Sequence, residues 1–192
     1  FTFGGNVMKS KFKFGVKEVV AVGIGTALFV ALTQVQIPIG IPNTYLQPRA
    51  ALLGFMAAVF GPIVGAAMGF IGHAIGDAAF YGSIWWSWVV PELVTGFAIG
   101  WFVDTYAIKN GDFGKKGIIT FNIVQVVANA VSWIAVAPVL DIVIYAEPAN
   151  KVFIQGAFAF LGNVIITGVL GTLLGVAYSK IGAKTSSLSE ED

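Results

Sequence analysis

Cysteine is absent from the 192 residues, histidine occurs once, and charged side chains make up only 11% of the chain. The first absence removes disulfides, thiol nucleophiles and thiolate metal sites. A lone histidine, His73, offers too few ligands for a metal centre. The scarcity of charge lies far below the roughly 25% of soluble domains, and a net charge of +1 gives nucleic acid no electrostatic footing. Also missing are a Gly-x-Ser-x-Gly elbow, a His-Glu-x-x-His pair, a phosphate-cradling Walker loop and any serine able to pair with a second histidine. No enzymatic activity is expected of the chain, and nothing in it would bind ATP.

What the sequence has in abundance is apolar surface. Hydrophobic residues make up 57%, and the mean hydropathy is +0.84. A bilayer-spanning helix takes about 20 residues. Gly, Pro and charge punctuation divides the chain into apolar runs at 16–36, 48–61, 63–80, 88–106, 117–140 and 152–178. The expectation is an all-α membrane protein of six transmembrane helices, one domain over residues 8–182. Residues 1–7, FTFGGNV, precede Met8 and are set aside as upstream sequence, while residues 183–192 form a polar, acidic tail expected to be disordered. The first run continues too far and lacks a cleavage site, so it reads as a retained span rather than a signal peptide. Phe60-Gly61-Pro62 should join the second and third helices in a tight hairpin.

Basic residues orient the bundle. With the N-terminus inside, Lys9, Lys11, Lys13, Lys17, Lys109, Lys115, Lys116, Lys180 and Lys184 collect on one side, and only Arg49 and Lys151 on the other. This satisfies the positive-inside rule with both termini cytoplasmic. The loops 37–49, 81–88 and 141–151 then face outward. They are rich in Pro, aromatics and hydrogen-bonding groups, so recognition chemistry is expected at the outer side.

Polar residues inside the spans must be paired or functional, because an unpaired amide in hydrocarbon is costly. On the fifth run Asn122, Gln125, Asn129 and Ser132, with Trp133 beside the last, share one helical face. Asn122 reads as interhelical glue or ligand contact; for Gln125, Asn129 and Trp133, which climb toward the outer mouth, ligand contact is preferred and glue is the alternative. His73 and Asp77, four apart on the third run, are a structural pair, ligand contacts or a proton relay. Glu92, after Pro91, is a first-turn acid at the water boundary or an acceptor for a polar ligand. Trp85, Trp86 and Trp88 lie where an interfacial belt is expected, but three in four residues cannot all face lipid; Trp85 and Trp88 are the candidates for stacking on a flat ligand. Asn163, near mid-membrane, is glue or pocket floor. Small residues recur at four-residue spacing on the first run, Ala21/Gly25, Gly23/Ala27 and Ala27/Ala31, and on later runs at Gly65/Gly69, Gly72/Gly76 and Gly171/Gly175. Such faces admit close helix contact, within the bundle or with a partner.

The basic start, six short runs, the Ala27-x-x-x-Ala31 stretch and aromatic outer loops together resemble the S components, the substrate-binding membrane subunits, of energy-coupling factor (ECF) vitamin transporters. The strings IGTALFVALT, IPNTYLQPRAALLGF and GHAIGDA are similar to a subfamily with members assigned to hydroxymethylpyrimidine, the thiamine precursor. The resemblance implies capture of a vitamin or precursor at the outer face of a bacterial cell membrane, with Asn43, Tyr45 and Gln47 of the first loop capping the pocket. It further implies docking through Ala27 and Ala31 onto a membrane-embedded coupling (T) subunit that carries two cytosolic ATPases. ATP and magnesium would then be cofactors of those ATPases and not of this chain. Hydroxymethylpyrimidine is the first expectation and a pyridoxine-like vitamin the second. A stand-alone proton-coupled carrier using His73, Asp77 and Glu92 is the competing reading.

Overall fold

Each of the six expected apolar runs is helical in the computed structural model, which describes Phe12 and residues 14–188, with side chains to residue 182. Lys9, Lys11 and Lys13 and the end of the acidic tail lie outside the described residues. Helix α1 is Val16–Leu32, α2 Arg49–Phe60, α3 Pro62–Phe80 and α4 Trp86–Gly100. A short α5, Val103–Tyr106, follows with a bend of 53° between α4 and the segment after it. Helix α6 runs Lys115–Tyr145, and α7 begins at Ala149 and continues through Leu188, into the segment read as tail.

By length and composition α3, α6 and α7 can each cross a membrane, and the bent α4–α5 pair makes a fourth candidate, whereas α2 is a shorter apolar helix. The all-α reading therefore stands. Its one departure among the described residues is a two-stranded antiparallel ladder in the first loop, β1 (Ile37–Pro38) with β2 (Tyr45–Leu46), in the register Ile37↔Leu46 and Pro38↔Tyr45.

Local chemistry sets the joints. Glu18 reaches back to the Gly15 N–H at 2.9 Å and satisfies one donor at the start of α1. Gly61, at φ 97°, occupies a backbone region disfavoured for L side chains, and Pro62 follows at the first position of α3, so α2 turns into α3 through a single residue. Pro138 cannot donate to the helix ladder and crowds the carbonyl four residues before it. Just upstream, α6 widens into a π-helical stretch, Val131–Val136. A second π stretch, Thr167–Gly171, interrupts α7.

Small residues let the central helices touch. A Cβ on Gly65 would collide with the Gly96 backbone, and one on Gly69 would lie 2.6 Å from the Glu92 carbonyl oxygen. The backbones of α3 and α4 are thereby in direct contact. On α1, Ala21 and Gly25 face inward, Gly25 against Met56 and Met68. The pair Ala21/Gly25 is thus bundle packing, as are Gly65/Gly69, Gly72/Gly76 against Phe29 and Thr33, and Gly171/Gly175 against Phe121 and Phe113. Gly23, Ala27 and Ala31 are instead exposed.

The apolar core is divided. Ala21, Phe29, Leu53, Met56, Val64 and Met68 fill the space between α1, α2 and α3. Ile99, Tyr106, Ile108, Phe113 and Phe121 fill the end near Lys109 and Lys115, where the Tyr106 hydroxyl donates to the Ile99 carbonyl at 2.9 Å. Large apolar side chains such as Ile24, Ile123, Val127, Val143 and Leu173 point outward, the pattern of a bundle whose surroundings are hydrocarbon. At the opposite end of the bundle, toward the loops 37–47, 81–85 and 146–148, a smaller cluster of Trp133, Ala137 and Ala159 with Trp88 and Phe160 borders open space.

Candidate functional site

That end holds a cavity of about 470 Å³, within the range of small-molecule sites. The first loop contributes Asn43, Thr44, Tyr45 and Gln47, α2 contributes Arg49, and α3 His73 and Asp77. Trp85 caps the start of α4, Trp88 and Glu92 come from its first two turns, Trp133 and Asp141 from α6, and Gln155 and Asn163 from α7. Ten of the twelve candidate contacts therefore share one wall: Asn43, Tyr45, Gln47, His73, Asp77, Trp85, Trp88, Glu92, Trp133 and Asn163.

Gln125 and Asn129 are not part of that wall. Both are buried; Gln125 Nε2 donates to the Val164 carbonyl at 3.3 Å, and Asn129 Nδ2 donates to the Gln125 carbonyl at 2.9 Å and to its Oε1 at 3.2 Å. Together they tie α6 to α7. Asn122 does the same through Thr172 Oγ1 at 3.0 Å, and Ser132 accepts from Thr95 Oγ1 at 2.8 Å.

Charged groups gather on the floor. His73 Nε2 lies 3.4 Å from Asp77 Oδ1 and 3.5 Å from Arg49 Nη2, while His73 Nδ1 lies 3.8 Å from Glu92 Oε1. One ring nitrogen cannot both donate to Asp77 and accept from Arg49, so the tautomer of His73 decides which neighbour it serves. Arg49 Nη1 also donates to Thr33 Oγ1 at 3.2 Å, and the guanidinium sits 5.0 Å from the Phe29 ring centre. Sequence placed Arg49 among outer-loop charges; it is in fact buried at the start of α2. Glu92, expected in a first turn at the water boundary, lies deeper in α4 and is 3% exposed.

The aromatic wall is held by Asp141. Its Oδ1 accepts from Trp85 Nε1 at 2.7 Å and from Ser87 Oγ, and its Oδ2 from Trp88 Nε1 at 3.0 Å. Trp85 also stacks on Tyr145, with centroids 4.0 Å apart, and its backbone N–H donates to Asp77 Oδ2 at 3.0 Å. Trp88 meets Trp133 edge-on at 5.3 Å. Trp86 turns away and packs beside Phe70. The first loop is strapped across the mouth: Gln47 donates to the Thr33 carbonyl, Gln155 to the Pro42 carbonyl, and Gln36 to the Tyr81 hydroxyl.

Sequence reasoning missed Arg49, Asp141 and Gln155 as site residues. The available signal for Asp141 was a carboxylate within a turn of an apolar helix end, close in space to indole donors 53 and 56 residues earlier. Among the described residues no cluster of His and carboxylates could hold a metal ion.

Comparison with known proteins fits this geometry. The sequence matches the family described as ECF-type riboflavin transporter, S component, over residues 13–180. It is 49% identical over 93% of its length to a UPF0397 protein of Exiguobacterium sp., covering 98% of that protein. It is 48% identical over 92% to a UPF0397 protein of Lactobacillus acidophilus, covering 96% of it, and 45% identical over 96% to one of Lacticaseibacillus casei, covering all of it. No solved structure matches the chain. A multi-pass apolar helical bundle with a polar, tryptophan-walled cavity at one end is what a substrate-binding membrane subunit requires, and this chain belongs to the family of ECF transporter S components.

Proposed function

We propose that the chain is the substrate-capture subunit of an ATP-driven ECF-type importer and binds a small, flat, polar heterocycle in the cavity. Hydroxymethylpyrimidine is the first candidate and a pyridoxine-like vitamin the second. The observation that carries this reading is a coincidence of unpartnered groups: of the four buried side-chain polar atoms without a hydrogen-bond partner among the described residues, three, His73 Nδ1, Glu92 Oε2 and Trp133 Nε1, belong to residues that line the same cavity. Buried polar atoms without partners are rare in folded chains. A heterocycle with ring nitrogens and an exocyclic amine or hydroxyl supplies complementary donors and acceptors in one plane, and Trp85, Trp88 and Trp133 supply faces and edges.

The topology proposed has six crossings, with both termini and the basic end, Lys109, Lys115, Lys116 and Lys180, in the cytoplasm of a bacterium. The cavity then opens outward. Ala27 and Ala31, exposed on α1, are the proposed contacts with the membrane coupling subunit, which carries two ATPases with their ATP and magnesium. Calorimetric titration of the purified chain with hydroxymethylpyrimidine, pyridoxine and riboflavin tests the ligand. Micromolar or tighter binding of the pyrimidine supports the first choice; tight binding of riboflavin alone replaces it, and binding of none refutes the small-heterocycle reading.

His73 between Asp77 and Glu92 is the observation that favours a proton-coupled carrier. That carrier would take up ligand in liposomes under a pH gradient without ATP or partners. Transport only in the presence of the ATPases excludes it.

A further inference from the structure

We infer that the cavity is built for a ligand that carries positive charge, a protonated or quaternary nitrogen on its flat ring, with Glu92 as the counter-ion. The inference rests on the capture reading above and narrows its substrate class. Its basis is the distribution of charge in the cavity wall. The lining holds three carboxylates, Asp77, Glu92 and Asp141, and one guanidinium, that of Arg49. Glu147 and Lys151 at the rim pair with each other at 2.6 Å and cancel. Even a protonated His73 leaves one carboxylate in excess.

How the three carboxylates are engaged identifies the available one. Asp141 has both oxygens occupied by Trp85, Ser87 and Trp88. Asp77 accepts the Trp85 N–H and faces His73. Glu92 Oε2 has no partner, although the side chain is almost fully buried. Arg49 does not neutralise it by contact: among the described residues no carboxylate oxygen comes within 4.0 Å of the guanidinium, whose Nη groups are directed at Thr33 and His73. A neutral ligand that displaced water here could offer Glu92 a hydrogen bond but no compensating charge, so the desolvated carboxylate would be less well stabilised. A cation pairs with it and gains attraction from the electron-rich indole faces of the same wall. An anionic ligand would have to take Arg49 from Thr33 and His73 while closing upon Glu92.

The test compares ligands of one shape and two charges. Purified protein is titrated with hydroxymethylpyrimidine and its ring-N-methylated quaternary cation, and with pyridoxine and N-methylpyridoxinium. The expected result is that the cations bind about tenfold or more tightly than their neutral parents, a comparison that needs no variant. Glu92→Gln should erase the preference, the cations losing more affinity than their neutral parents. Equal or tighter binding of the neutral forms overturns the inference and leaves the capture reading intact. A preference for cations that persists in Glu92→Gln overturns Glu92 as counter-ion. Binding of none of the four overturns the inference, and absence of riboflavin binding as well overturns the capture reading.

Discussion

Asp141→Ala removes a single acceptor that three donors share, and the loss can be worked donor by donor. Ser87 is fully buried, and among the described residues its hydroxyl bonds only to Asp141. Trp88 Nε1 has the same dependence from a half-buried position. Leaving each without an acceptor costs about 1–3 kcal/mol. Trp85 is 36% exposed, so its indole N–H can turn to water and adds little. Deleting a buried carboxylate returns part of its desolvation cost, and the net is a loss of about 2–4 kcal/mol. For soluble chains of this length that corresponds to a melting point roughly 5–15 °C lower. Thermal unfolding in detergent, followed by tryptophan emission, measures it, and release of Trp85 and Trp88 should also shift the emission of the folded protein to the red. Asp141→Asn keeps an oxygen for Trp85 and Ser87 but sets an amide N–H against Trp88, so its loss should be about half. An Asp141→Ala protein with the melting point and emission of the parent, or an Asn variant no better than the Ala one, would refute the latch.

Gly69→Ala places a methyl 2.6 Å from the Glu92 carbonyl oxygen, and neither backbone can yield cheaply. About 1–3 kcal/mol of stability should be lost, together with ligand affinity, because Glu92 is pushed from its place; Gly23→Ala, with nothing within 4 Å, is the control and should melt and bind like the parent. On the exposed face of α1, Ala27→Phe or Ala31→Phe should abolish co-purification with the coupling subunit yet leave ligand titrations unchanged, and a loss of ligand binding instead would refute the assignment of that face to a partner.

The helices were legible because hydrophobic runs and their Gly, Pro and charge breaks are properties of neighbouring residues. So was the third-helix pair His73 and Asp77, since a four-residue spacing fixes a shared face. Arg49 was not, because its burial depends on Phe29 of α1, Thr33 just after it and His73 of α3, none near it in sequence. Positive-inside reasoning treats every cation as solvated and so placed this one in an outer loop. Gln125 and Asn129 occupy the expected face of α6, but that face meets α7 at their level and the cavity only higher, at Trp133 and Asp141. A helical face is readable from sequence; what stands opposite each turn of it is not.

Along α6 the buried positions Gln125, Asn129, Trp133, Ala137 and Asp141 recur every fourth residue. In a regular α-helix each four-residue step overshoots a full turn by about 40°, so three steps beyond Asn129 would swing Asp141 about 120° around the helix axis. The wider π turns at Val131–Val136 absorb that drift. One unbroken rod can thus keep a single straight seam, bonded to α7 at Gln125 and gripping the indoles at Asp141. The local irregularity in the backbone works as a gear correction that lets one helix serve as both strut and jaw.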